Sequence, residues 1–139
     1  MNYWLCVTNE ENWNVVTKKK VWGVPRASKR LIEGVRRGDF LVFYVSPKSI
    51  RGVFEAVSEP YEDEKRIFHS GKFGEKEVFP HRVKLKPVIV TKKPVNFENL
   101  IPKLNFITNK RMWTGHLRRA MRTIPREDYE TIVLALKGK

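Results

Sequence analysis

The chain has 139 residues, of which 41% are hydrophobic and 12% aromatic, a composition that supports one packed domain over residues 1–139. It carries a formal net charge of +13 at pH 7 and a single cysteine, which excludes an internal disulfide and a cysteine-based zinc site. No apolar run reaches the roughly 18 residues that a transmembrane helix needs, and the N-terminus lacks the features of a secretion signal. We therefore expect a cytoplasmic protein with no membrane partner.

The predicted elements begin with a strand and a helix. Residues 2–8 are rich in strand-forming side chains and predict a buried strand. Residues 10–19 start with two acids and end with two lysines, the charge order that a helix dipole favours, and so predict a short helix. The glycine and proline within 20–27 predict a loop, after which Ser28 is the expected N-cap of a second short helix.

Strands dominate the middle of the chain. Residues 39–45 and 51–61 are β-branched and aromatic, and a short turn joins them, so they predict adjacent strands in a hairpin or meander. Residues 79–90 alternate apolar and basic side chains, which predicts a strand with one solvent-facing side. Because proline lacks an N–H, Pro87 predicts an edge position or a bulge there.

The last third of the chain contains the clearest helix. Residues 96–104 predict a short helix, and residues 117–124 fit either a strand or a helix. Residues 125–137 place proline in the first turn, acids next and apolar side chains at helical spacing, which predicts a C-terminal helix. Five or six strands of mixed connection, with these helices, predict an α+β fold built on a small, strongly curved sheet or barrel.

The positive charge is concentrated in two segments, each of which contains one tryptophan. The first basic segment, 18–37, has a net charge of +7, the second basic segment, 109–126, has +6, and the rest of the chain is neutral. This pattern is typical of a surface that binds a polyanion, because cations attract phosphates and an aromatic ring stacks on a base. Two unrelated solvated faces, with Trp22 and Trp113 in the core, are the alternative.

Patterns for catalysis and metal binding are missing from the sequence. His69, His81 and His116 are far apart and lack the spacing of a local metal motif. Acids cluster in a polar loop at 62–64 and at the start of the last predicted helix, where the helix dipole accounts for them. We therefore predict no catalytic residue, no metal site and no cofactor, while an enzyme assembled only in the fold stays an open alternative.

Six blocks resemble, in order and across nearly the whole chain, the EVE domain of the PUA-like superfamily. They are YWLCVTNEENW, WGVP, RGDFLVFYV, GVFEAVSEPYED, FPHRVKLKPV and MWTGHLRRAMRTIPREDYETIV. The resemblance implies a PUA-like pseudo-barrel of about five to six mixed strands, flanked by short helices and a C-terminal helix. It also implies a relationship to ASCH domains and to YTH domains, which hold a methylated adenine in an aromatic cage, and recognition of modified bases in DNA or RNA.

The resemblance also implies a base pocket at the WGVP block. The block matches the mouth of the EVE and YTH pocket, where the tryptophan is one aromatic wall. Where many EVE domains continue with arginine and asparagine this chain differs, and Ser28 is the candidate substitute for the asparagine. The second aromatic wall is expected from the loop after the third block, where we choose Phe68 over Phe73 and Phe79. The expected pocket residues are Trp22, Gly23, Val24, Pro25, Ser28, Phe68 and Asn9.

Together these features predict a non-enzymatic nucleic-acid-binding module that flips a modified, methylated base into the pocket. We expect Trp22 to be partly exposed at the border of a cavity, and both basic segments to lie on that side of the fold. The expected phosphate-binding residues are Lys20, Arg26, Lys29, Arg30, Lys110, Arg111 and Arg118. The alternatives are a sequence-independent RNA-binding protein that uses the basic surface only, and an enzyme acting on a nucleotide or RNA.

Overall fold

Seven strands form one mixed sheet in the computed structural model, which describes residues 1–138. The strands are β1 (Tyr3–Thr8), β2 (Val21–Val24), β3 (Phe40–Val45), β4 (Ser49–Ala56), β5 (Tyr61–Glu62), β6 (His81–Asn96) and β7 (Met121–Ile124). Their hydrogen-bonded order is β2-β6-β4-β3-β1-β7, and β5 also pairs with β6. β1 and β3 are parallel, whereas the other pairs are antiparallel.

Three α-helices and several short 3-10 turns connect the strands. The helices are α1 (Glu10–Lys19), α2 (Lys29–Ile32) and α3 (Arg126–Leu136). The 3-10 turns are Arg26–Ser28, Gly71–Phe73, Phe97–Asn99, Ile101–Lys103 and Trp113–Leu117. α1 begins where predicted because the side chain of Asn9 accepts a hydrogen bond from the N–H of Asn12 (2.8 Å). Within residues 1–138, every helix is too short or too polar to cross a membrane.

Side chains alternate between the two faces of the sheet and build one hydrophobic cluster on each. Along β1, Trp4 and Cys6 pack on the first face and Leu5 packs on the second. The helix residues in these clusters are Trp13, Val16 and Ile32 on the first face and Ile132 and Leu136 on the second. Burial raises the pKa of the Cys6 thiol well above its ordinary value, which suits a packing role. The sheet curls into a half-barrel with helices around it, so the predicted α+β architecture is confirmed.

The loop predicted over 20–27 is wrong, because half of it forms β2. Trp22 pairs with Val83 of the long strand β6, and the strand ends where Pro25 follows. The predicted strand 51–61 is divided, since β4 ends at Ala56 and β5 is a separate two-residue strand. The hairpin of β3 and β4 is confirmed.

β6 is longer than predicted and pairs differently along its length. Its first residues pair with β2 and β5, and its later residues pair with β4. Pro87 lies opposite Phe54 where the register between β4 and β6 shifts, so the predicted bulge is confirmed. The stretch 117–124 contains β7, and the stretch 96–104 forms 3-10 turns.

Candidate nucleic-acid interface

The main cavity, an open space of about 1030 Å³, lies where the end of β1, the strand β2, the loop 63–80 and residues 117–120 meet. Its aromatic lining consists of Trp22, Phe73 and Phe79. Its polar and cationic lining consists of Thr8, Asn9, Asn12, Ser28, Ser46, His69, Ser70, Lys72, Arg118 and Arg119. No aspartate or glutamate of the described chain lines it, so the lining combines aromatic, polar and cationic side chains without a carboxylate.

Trp22 borders the main cavity from within the hydrophobic core. Its side chain is 2% exposed, and its ring packs edge-on against Phe43 at 5.3 Å between centroids. The prediction of a partly exposed indole is wrong, because pairing of β2 with β6 turns the ring inward. Its Nε1–H has no acceptor among residues 1–138, and an unpaired buried donor costs about 1–3 kcal/mol.

The second aromatic wall comes from Phe79 and Phe73, and not from Phe68. Phe68 is 2% exposed and lies behind Gly23, where it stacks on Phe79 with ring centroids 5.8 Å apart. Phe73 meets Phe79 edge-on at 5.5 Å and is 52% exposed. The expected position of Phe68 is thus corrected: its ring supports the wall from behind and does not line the cavity.

Arg82 fixes the backbone that presents Phe79. Phe79 has a φ of 55°, in the left-handed region that few side chains of its size adopt. Its carbonyl accepts from Arg82 Nε (2.9 Å), and its N–H donates to the carboxylate of Glu77 (2.9 Å). Arg82 is 1% exposed, and its Nη2 also donates to the carbonyls of Val78 and Lys65. Burial lowers the pKa of Arg82, an effect that the nearby Asp63 opposes.

Asn12 holds the same loop from the other side. Its Nδ2 donates to the carbonyl of His69 (3.1 Å), and its Oδ1 accepts from the N–H of His69 (2.7 Å). The imidazole of His69 lies 2.8 Å from the Glu11 carboxylate at the rim, where both side chains are more than half exposed. The loop is therefore tied to α1 by a buried amide and to β6 by a buried guanidinium, an arrangement that no sequence motif indicates.

The remaining pocket residues of the WGVP block divide between cavity and core. Gly23, Pro25 and Ser28 line the main cavity, whereas Val24 is fully buried and does not. Ser28 precedes α2 but its hydroxyl makes no capping hydrogen bond, contrary to expectation. Asn9 also lines the cavity, and because its Oδ1 caps α1, its Nδ2 is the atom left to face a ligand.

A second space, the arginine cavity, has a volume of about 680 Å³ and adjoins the main cavity. Its cationic lining consists of Arg30, Arg118, Arg119 and Arg122, beside His116. Leu31, Arg118 and Arg119 line both cavities and so form their common wall. Arg30 of the first basic segment lines the arginine cavity together with three arginines of the second, so the fold brings these parts of the two segments together beside the cavity that Trp22 borders.

The family model for the EVE domain matches residues 2–135. The chain belongs to the EVE domain family. A UPF0310 protein of Pyrococcus abyssi is 50% identical to this EVE domain over 142 residues, covering 95% of this chain and 97% of that protein.

Two solved structures share the fold of this EVE domain at low sequence identity. Human THYN1, in complex with DNA containing 5-methylcytosine, is 18% identical with a TM-score of 0.67, covering 100% of this chain and 99% of that one. The Pho92 YTH domain, in complex with m6A, is 17% identical with a TM-score of 0.71, covering 99% of this chain and 87% of that one. The PUA-like fold that the resemblance implied is therefore confirmed.

Two of the seven expected phosphate-binding residues of this EVE domain line a cavity, namely Arg30 and Arg118. Those that line neither cavity are Lys20, Arg26, Lys29, Lys110 and Arg111. Arg26 is paired with Glu64 at 2.7 Å, and the ammonium groups of Lys20 and Lys110 donate to backbone carbonyls. Sequence reasoning missed Lys72, Arg119 and Arg122, although the last two lie within the second basic segment.

Trp113 lines neither of the two cavities of this EVE domain. Trp113 packs on Phe97 at 5.5 Å as part of the cluster on the second face. Within the part of the chain that the structure describes, His, Cys, Asp and Glu side chains form no group of three or more suited to a metal ion. The side chains that line the two cavities can stack on a flat ring, form hydrogen bonds and attract anions.

Proposed function

We propose that this EVE domain is a non-enzymatic nucleic-acid-binding module that takes one modified base, flipped out of its strand, into the main cavity. The observation that carries the proposal is an open cavity of about 1030 Å³ that is lined by aromatic rings and cations and by no carboxylate within residues 1–138. Support comes from human THYN1 and the Pho92 YTH domain, which share this fold and were solved with 5-methylcytosine DNA and m6A.

The aromatic lining supplies the free energy that base flipping requires. Extruding a base costs a few kcal/mol, and stacking on an aromatic ring returns about 1–3 kcal/mol per base. Phe73 and Phe79 offer their rings to the cavity at right angles to each other, so a flat base stacks on one and contacts the edge of the other. A methyl group on the base adds apolar contact at about 25 cal/mol per Å².

The unpaired Trp22 Nε1–H is a candidate hydrogen-bond donor that would orient a base in the same site. A buried donor without an acceptor is destabilising until a ligand or a water provides one. A ring nitrogen or carbonyl oxygen of a base is such an acceptor, and Ser28 and Asn9 line the cavity with further polar groups. Completing this hydrogen bond requires the acceptor to reach an atom that is buried in the free protein.

The two alternatives make different demands on the cavity. If the protein bound nucleic acid through its basic surface alone, we would expect side chains of the protein to fill the pocket. The main cavity is instead open. An enzyme expects acids, or a histidine and an acid, at the cavity floor, whereas His69 and Glu11 pair at the exposed rim. Base binding is therefore the function that the geometry supports best.

A binding screen with Phe73→Ala tests the proposal. The ligands are short single strands with 5-methylcytosine or N6-methyladenine and their unmodified counterparts, titrated at several salt concentrations. Phe73 is 52% exposed, so its removal should leave the fold intact and weaken binding of the preferred modified strand by about 1–3 kcal/mol. The slope of log K against log salt should stay unchanged, because no cation is lost.

Leu134→Ala is the matched control, because Leu134 is equally exposed at 52% but lies on α3 and lines neither cavity. It should bind all strands as the wild type does. If the wild type binds modified and unmodified strands equally, and Phe73→Ala does the same, the cavity does not read a base and the basic surface alone accounts for binding.

A further inference from the structure

The arginine cavity gathers positive charge, and no aspartate or glutamate among residues 1–138 lines it. Arg30, Arg118, Arg119 and Arg122 line it, and none of them lies within 4.0 Å of a carboxylate in the described chain. Like charges held close together repel, and their repulsion is relieved when an anion binds between them. Other arginines of this protein, such as Arg51 and Arg82, do have an acid partner.

The walls of the arginine cavity are anchored in place. The Arg122 guanidinium lies 4.7 Å from the centre of the Phe106 ring, and its Nε donates to the carbonyl of Thr123 (3.2 Å). The His116 Nε2 accepts from the N–H of Asn109 (3.2 Å), which steadies the turn that precedes Arg118. Because Arg122 is anchored, it loses less conformational freedom when it binds an anion.

Trp4 and Gly34 form the opposite side of the cavity. The Trp4 Nε1 donates to the buried carboxylate of Asp39 (3.1 Å), which holds the indole still. Gly34 lies against this ring, so that a Cβ there would come within 3.1 Å of it. A glycine at this contact lets the helix end approach the indole, and a concave space remains beside the arginines.

We propose that the arginine cavity binds the phosphate group next to the base that occupies the main cavity. The inference rests on the proposed function and names a second subsite of the same interface. Because Leu31, Arg118 and Arg119 belong to both cavities, a sugar that crosses this common wall joins a base on one side to a phosphate on the other. Guanidinium groups suit the site because their planar donors bind phosphate oxygens in pairs.

The test compares a nucleoside with its phosphates in two variants. Arg30→Ala/Arg122→Ala removes two arginines that line the arginine cavity and not the main cavity. Lys92→Ala/Lys93→Ala removes the same charge from exposed positions on β6 that line neither cavity. The probes are 5-methyl-2′-deoxycytidine and N6-methyladenosine, the 3′- and 5′-monophosphates of each, and inorganic phosphate, all measured by calorimetry.

We expect one of the two monophosphates to bind the wild type about tenfold or more tightly than its nucleoside, since a hydrogen bond to a charged group contributes about 1.5–3 kcal/mol. Arg30→Ala/Arg122→Ala should lose this advantage and keep the nucleoside affinity, whereas Lys92→Ala/Lys93→Ala should keep both. The isomer that binds more tightly than the nucleoside identifies whether the 3′ or the 5′ phosphate of the base lies in the arginine cavity. Inorganic phosphate should compete with the monophosphate and not with the nucleoside.

Failure of the inference is distinguishable from failure of the proposed function. If nucleosides bind and neither monophosphate gains, or if the gain survives in Arg30→Ala/Arg122→Ala, the phosphate site is overturned and base binding stands. If no nucleoside binds, base binding fails. The phosphate site is then tested with an abasic oligonucleotide, whose affinity should be lower for Arg30→Ala/Arg122→Ala than for the lysine control. For binding of a single strand, the slope of log K against log salt should be smaller in Arg30→Ala/Arg122→Ala than in the lysine control, by about 0.7 per lost phosphate contact. Equal slopes in the two variants overturn the phosphate site.

Discussion

The indole of Trp22 belongs to the hydrophobic core and to the main cavity at once. Its edge-on contact with Phe43 and its 2% exposure place most of its surface in the core. Its Nε1–H is the one buried side-chain donor or acceptor in residues 1–138 without a partner. The packing surface of the ring and its unpaired donor are therefore different parts of this residue, and two substitutions separate them.

Trp22→Ala should destabilise the protein by about 3–5 kcal/mol, because it leaves a cavity in the core. Trp22→Phe keeps most of the ring and removes the unpaired donor, so its free energy of unfolding should lie within about 1.5 kcal/mol of the wild type. Urea unfolding measures both. An alanine variant that unfolds at the wild-type urea concentration would contradict the core role of the ring.

Gly23 is a position where only the absence of a side chain lets the second wall approach. A Cβ there would come within 2.6 Å of Phe68 Cε2 and 2.9 Å of the Phe79 carbonyl oxygen, and the latter is backbone held by Arg82. Gly23→Ala should therefore cost about 1–3 kcal/mol of stability and displace Phe79 from the cavity.

Gly115→Ala is the control for this substitution. Gly115 has no atom within 4 Å of the position of an added Cβ, so the same change should leave the free energy of unfolding within about 0.5 kcal/mol of the wild type. Thermal unfolding of the two variants side by side, with ring-proton NMR of the phenylalanines, measures the difference. Equal stabilities would show that β2 and the loop behind it shift freely.

Among the elements, the loop 63–80 depends most on a few buried polar contacts. Asn12 is 3% exposed and uses both ends of its amide to hold the backbone of His69. Asn12→Ala leaves that N–H and carbonyl without partners, so the free energy of unfolding should fall by about 1–3 kcal/mol. Hydrogen exchange in residues 65–79 should become faster than in the sheet, because the loop opens locally first.

Asn14→Ala is the matched control on the same helix, because the Asn14 side chain is exposed. It should change the free energy of unfolding by no more than about 0.5 kcal/mol and leave the exchange of the loop unaltered. If the loop amides exchange at the same rate in Asn12→Ala and Asn14→Ala, the contacts of Asn12 do not hold the loop and those of Arg82 suffice.

At the same scale, local chemistry explains which elements the sequence could predict. The bounds of α1 were predictable from its charge order and from the capping residue Asn9, because both act within a few residues of the helix ends. β2 was missed because its glycine and the following Pro25 resemble a loop, and only the distant strand β6 makes it a strand.

The choice among the loop phenylalanines was beyond the sequence for a related reason. The loop has no periodicity that assigns Phe68 to one side and Phe79 to the other. Their positions follow from Arg82, whose guanidinium binds carbonyls that the sequence does not show to be neighbours. A basic residue at an alternating strand position indicates a solvent-facing side chain, yet Arg82 is 1% exposed.

For the whole molecule, the concentration of charge in two segments was the most informative feature of the sequence. The segments are distant along the chain, and the sheet brings Arg30 together with Arg118, Arg119 and Arg122. Composition therefore predicted the existence of a basic surface. The particular cations in it required the structure, because several basic residues of those segments are engaged by carboxylates or carbonyls elsewhere.

A ligand that occupies the main cavity should stabilise the whole protein, because the cavity exists only in the folded state. At a ligand concentration about 100 times the Kd, the gain is about 2.7 kcal/mol, which corresponds to a rise of several degrees in Tm. Differential scanning fluorimetry with the preferred modified strand should show this rise, and Phe73→Ala should show less of it. Equal shifts with modified and unmodified strands would mean that the base is not read.

The walls of the main cavity come from residues 7–12, 22–31, 69–79 and 117–120, which are spread along the chain. Contacts between such distant segments raise the contact order, and no short fragment of the chain contains the whole cavity. Arg118 and Arg119 reach their places when β7 pairs with β1, which requires the chain as far as Ile124. During synthesis on the ribosome, itself rich in RNA, the nascent chain therefore exposes its first basic segment before Arg118 and Arg119 complete the wall of the main cavity.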